Sequence, residues 1–116
     1  MSDVERREEK RHRIWVDAVV KTPETSLPVI LTEISGGGIR MQSQKLITPG
    51  TKIQATLKLN VENEFHGTVV WTLHNTYKTQ AVYEIGVETD LIVMENLKFN
   101  KPSAMAKVLE EILSKI

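Results

Sequence analysis

At 116 residues the chain has room for one domain with a modest core, and its 41% hydrophobic and 26% charged residues are those of a globular protein, not a disordered one. It contains no cysteine, which excludes disulfides and zinc sites built on thiolates. Its formal net charge of zero argues against general nucleic-acid binding, whose affinity comes from many phosphate contacts.

Residues 1–13 read as a solvated arm, charged throughout and without the apolar stretch of a signal peptide. Arg6, Arg7, Lys10, Arg11 and Arg13 crowd there among Glu5, Glu8 and Glu9. A local cationic arm on a neutral domain suits a small anionic ligand better than a long polyanion. Arg7 and Arg11 project from one side of a helical turn, or approach a ligand from two directions if the arm is extended. Arginine pairs bidentately with a phosphate or with the O6/N7 edge of guanine, and its flat face stacks on a base. A plain solvated arm carries the same pattern.

From Ile14 the pattern changes. Ile14, Val16, Ala18 and Val20 alternate with Trp15, Asp17 and Val19, which predicts a strand over residues 14–20 with one buried face. Residues 23–26 form a turn cluster, and residues 27–34 read as a second strand with Pro28 near its start. A Ser35-Gly36-Gly37-Gly38 turn leads to a third strand over 39–43. Pro49-Gly50 marks the next turn. Residues 52–59 alternate, with Ile53, Ala55, Leu57 and Leu59 on one face. Residues 60–63 turn, residues 65–73 and 81–88 are the last two strands, and the polar segment 74–80 is expected to be a hairpin loop.

Six strands with no helix between them predict an antiparallel sheet closed into a barrel or a compact sandwich, which removes exposed edges. Beyond it, Met105, Val108, Leu109, Ile112, Leu113 and Ile116 follow the spacing of one helix face, and Pro102 suits a first helical turn. The expected organisation is an arm over 1–13, a β-domain over 14–100, and an amphipathic helix over 101–116 packed on its own barrel. Pairing of that helix with a second chain, and so a homodimer, is the alternative. No apolar stretch is long enough to insert in a membrane, and the expected location is the cytoplasm.

Enzyme signatures are missing. Glu33 occupies the place where a nucleophile elbow before Ser35 needs a glycine. His12, His66 and His74 lack metal-ligand spacing, and no glycine-rich loop opens a helix as in a phosphate-binding loop. No catalytic or metal site is therefore expected. Glu33-Ile34-Ser35-Gly36-Gly37-Gly38 carries more chemistry. Glycines permit positive φ and close approach of backbone to a ligand, and successive N–H groups can form an anion nest. Ser35 offers a hydroxyl and Glu33 an acceptor for amino groups. A tight turn that needs glycine for geometry alone is the bland reading of the same residues.

The two constellations occur in order, with one strand-turn-strand unit between Arg11 and Glu33. That arrangement resembles the PilZ family, whose signature is RxxxR followed about one hairpin later by [D/N]xSxxG. Arg7 and Arg11 match the first part, and Ser35 and Gly38 the second, with Glu33 in place of Asp or Asn. Gly67-Thr68-Val69-Val70-Trp71 and Tyr83-Glu84-Ile85-Gly86-Val87-Glu88 are also similar to PilZ strands, so the resemblance covers roughly residues 5–90. It implies a mainly β protein, a six-stranded antiparallel PilZ-type barrel with a C-terminal helix, and cyclic di-GMP as ligand with no further cofactor. It also implies a non-enzymatic receptor that orders its N-terminal arm on binding and signals to a protein partner of unknown identity. Arg7, Arg11, Glu33, Ser35, Gly36, Gly37 and Gly38 would then contact the ligand, with Arg6 and Arg13 as auxiliaries. Arg13 is the alternative second motif arginine, in which case Glu9 falls at the first position. Two other functions compete. One is a PilZ-like interaction domain without ligand binding. The other is a barrel for single-stranded nucleic acid, for which Trp15, Trp71, Tyr77 and Tyr83 are too few and too scattered.

Overall fold

The computed structural model describes residues 11–77, 80–100, 110 and 112–114. Seven strands follow in chain order: β1 (His12–Lys21), β2 (Ser26–Ser35), β3 (Gly38–Ser43), β4 (Lys52–Leu57), β5 (Asn63–Tyr77), β6 (Gln80–Met94) and β7 (Leu97–Asn100). They lie in the order β3-β2-β1-β4-β5-β6-β7, and every pairing is antiparallel. A further pairing of β3 with β6 closes the first six into a barrel. The expected closed six-stranded antiparallel barrel is therefore the observed one.

Alternation fills the barrel. Val16, Ala18 and Val20 point inward from β1, Leu27, Val29 and Leu31 from β2, and Ile53, Ala55 and Leu57 from β4. Ile39 and Met41 of β3, Phe65 and Val69 of β5, and Ile85, Val87 and Ile92 of β6 complete the core. Asn63 is a buried polar exception with full satisfaction. Its Oδ1 accepts from the Leu57 N–H at 2.8 Å, and its Nδ2 donates to the carbonyls of Leu57 and Val61 at 3.0 and 2.9 Å. One amide thus stitches the turn between β4 and β5.

Several boundaries differ from the expected ones. β1 begins at His12, because His12 and Arg13 already pair with Ile34 and Glu33. Arg13 is thus a strand residue and not part of an arm. β4 ends at Leu57, two residues early. The segment 74–80 is not a loop: β5 runs to Tyr77 and β6 starts at Gln80, with rungs from His74↔Tyr83 to Tyr77↔Gln80. Cross-strand pairs hold this extension, since the His74 and Tyr83 rings stack with centroids 4.8 Å apart. β6 continues to Met94 and turns through Glu95 and Asn96, both left-handed at φ 51° and 70°, into β7. Two such residues make the turn that suits the twist of a two-residue hairpin. β7 pairs with β6 beyond the last β3 rung, Gly38↔Glu88.

Glu110 and residues 112–114 are helical, and Ile112 is fully buried in the core cluster. The rest of the predicted 101–116 helix lies outside the described residues, as do Arg6 and Arg7.

Candidate functional site

β-bulges decide which side chains reach the outer face. Leu31 pairs with Met41 and Glu33 with Arg40, so Thr32 is an extra residue in β2. Its hydroxyl donates to the Arg40 carbonyl at 3.2 Å, at the rung the bulge interrupts. Leu31 and Ile34 can then both point inward while Glu33 and Ser35 point out. Val70 plays the same part in β5. Val69 pairs with Val87 and Trp71 with Gly86, so Val69 stays in the core and Trp71 turns outward, 37% exposed.

These shifts align one lateral row across five strands: Arg13 of β1, Glu33 of β2, Arg40 of β3, Gly86 of β6 and Trp71 of β5, each opposite the next. Directly opposed residues of antiparallel strands share a face. Gly86 leaves room for the Trp71 indole: a Cβ there would lie 2.2 Å from indole Cε2 and Nε1. The Arg40 guanidinium stands over the same ring, Cζ 5.2 Å from its centroid, within cation–π range. Arg40 Nη2 also donates to Glu84 Oε1 at 2.6 Å, and Asn75 Nδ2 donates to the other Glu84 oxygen. Arg40 and Trp71 are thus held in place by neighbours on β5 and β6.

Two adjoining surface cavities flank the row. One, of about 230 Å³, is lined by Arg11, Glu33, Ser35, Gly37, Gly38, Arg40 and Trp71, with Ile39, Val70 and Gly86, Val87 and Glu88 of β6. The other, of about 400 Å³, includes Arg13, Trp15, Glu33, Arg40 and Glu84. Glu33 and Arg40 belong to both. Arg11 Nε is 3.9 Å from Glu33 Oε2.

Of the residues singled out from the sequence, Arg11, Glu33, Ser35, Gly37 and Gly38 therefore share one cavity wall, and Arg13 lines its neighbour. Gly36 sits in the same turn, outside the lining. Gly38 has a structural duty, because a Cβ there would lie 2.0 Å from the Val87 carbonyl oxygen. The close approach expected of a glycine in this turn is made here to the protein's own β6. Arg40 and Glu84 carried no signal as site residues, and Trp71 drew notice as part of a family-like strand and as one of four scattered aromatics, not as a member of this site. Such a wall presents guanidinium donors for anions, a hydroxyl and backbone groups for a polar edge, and an aromatic face for a planar ring.

The PilZ domain family model matches residues 5–98. Among solved structures, the chain is similar to the Bacillus subtilis inhibitor of motility MotI/DgrA. The two share 15% identity and a TM-score of 0.58, over 96% of this chain and 53% of that one. The chain thus spans about half the length of that protein. No curated protein matches the sequence.

Proposed function

The chain belongs to the PilZ domain family, and from that premise we propose that it is a cyclic di-GMP receptor that passes the signal to a protein partner. The observation that carries the reading is the single cavity wall shared by Arg11, Glu33, Ser35, Gly37, Gly38, Arg40 and Trp71. The ligand is a dianion with two guanines. It asks for guanidinium forks at its phosphates, donors and an acceptor at a guanine edge, and a flat ring against a base. Arg11, together with Arg7 of the same motif, takes a phosphate. Ser35 and the backbone of the glycine turn meet a guanine edge, and Trp71 offers the stacking face. Arg6 and Arg13 assist from the flanks.

Binding orders the N-terminal arm and so changes the surface offered to a partner. The chemistry is recognition, without a catalysed step. Titration of the full chain with cyclic di-GMP tests the reading. Micromolar or tighter binding that weakens in Arg11→Ala is expected, and absence of binding overturns it. One observation favours the second reading, an interaction domain that does not bind the nucleotide: Glu33 stands where the family signature has Asp or Asn, and its carboxylate already faces Arg11.

A further inference from the structure

Glu33 has arginines on three sides. It lies directly opposite Arg13 on β1 and directly opposite Arg40 on β3. Opposed residues of antiparallel strands have Cβ atoms about 5 Å apart on a shared face. Arg11 immediately precedes β1, with Nε 3.9 Å from Glu33 Oε2. The carboxylate side chain is only 20% exposed, whereas that of Arg11 is 73% exposed. Glu33 also lines both cavities; the Arg40 guanidinium is held by Glu84, so the guanidinium facing the Glu33 carboxylate is that of Arg11. Glutamate is one methylene longer than the aspartate of the family signature, and its carboxylate here faces Arg11.

We infer that the Glu33 carboxylate fills the anion position of this site in the ligand-free protein, and that a phosphodiester must displace it to bind. The inference rests on the reading of the cavity as a cyclic di-GMP site. It gives Glu33 the opposite sign from its place in the motif. As a guanine acceptor it would strengthen binding; as an internal counter-anion it competes for the Arg11 guanidinium and raises the concentration at which the domain responds.

Glu33→Gln separates the two, because it keeps the size and one acceptor oxygen and removes the charge. Calorimetric titration of the full wild-type and variant chains with cyclic di-GMP should show the variant binding about two- to fivefold more tightly, the scale of one exposed ion pair. Equal or weaker binding overturns the inference. A second measurement uses no nucleotide: water exchange of the Arg11 side-chain Nε–H, followed by NMR, should be faster in Glu33→Gln. If neither protein binds the nucleotide, the receptor function fails, and this exchange rate alone decides the role of Glu33. An unchanged rate overturns it.

Discussion

The Trp71 indole lies against the bare backbone of Gly86, its partner across β5 and β6, at a distance that leaves no room for a methyl group. One missing side chain thereby fixes the pose of an aromatic ring on the outer wall. Arg40 covers the ring, Glu84 anchors Arg40, and Asn75 anchors Glu84, so four residues on three strands settle the orientation of one side chain.

Gly86→Ala should push the indole off its seat without emptying the core, since Gly86 faces outward between Ile85 and Val87. In a Trp15→Phe background, which leaves Trp71 as the only tryptophan, the emission maximum should move to longer wavelength. Affinity for cyclic di-GMP should fall by about 1 kcal/mol, the lower end of the value of one stacked base. Unaltered emission and affinity would remove Trp71 from the site.

Arg11→Ala should weaken cyclic di-GMP binding by about 1.5 kcal/mol, as for loss of a charge-assisted hydrogen bond. The affinity of the wild type should also decline with added salt more steeply than that of the variant. Arg13→Ala should cost less, because Arg13 lines the adjoining cavity. Equal losses, or a larger one at Arg13, would make Arg13 the second motif arginine.

Asn63→Ala should destabilise the barrel by about 2–3 kcal/mol, measured by urea unfolding. The substitution strands a buried Leu57 N–H and two carbonyls at the turn between β4 and β5. A change under about 0.5 kcal/mol would mean that water or a relaxed turn replaces the amide.

Thr89→Val should stabilise the fold by about 1 kcal/mol in the same assay. Thr89 is 1% exposed, and among the described residues its hydroxyl has no hydrogen-bond partner. Destabilisation would show that the hydroxyl finds a partner.

Most of the barrel could be read in advance from alternation. Val16, Ala18 and Val20, and likewise Ile53, Ala55 and Leu57, face inward as their spacing requires. The long β5–β6 hairpin escaped this reading because its end carries few apolar residues. Its pairs, His74 with Tyr83 and Asn75 with Glu84, stabilise across strands and leave no trace along either one. The motif residues Arg11, Glu33 and Ser35 were visible as chemistry. Arg40 and Trp71 were not, because their place depends on pairing: alternation continued from Phe65, Gly67 and Val69 sends Trp71 into the core, and only the extra residue Val70 turns it out.

The bulge at Thr32 gives β2 something like a reading frame. Side chains before it and after it keep the same two-residue rhythm, shifted by one. Deleting Thr32 would leave Leu31 opposite Met41 and Glu33 opposite Arg40, so each side chain would keep its face; pairing Thr32 itself with Arg40 would instead exchange inside for outside over the last rungs, sending Glu33 and Ser35 towards the core and Ile34 to solvent. A one-residue slip of pairing at this position is therefore equivalent to replacing the whole end of the strand, and a chain that paired the spare residue could retain every motif letter and still have no site.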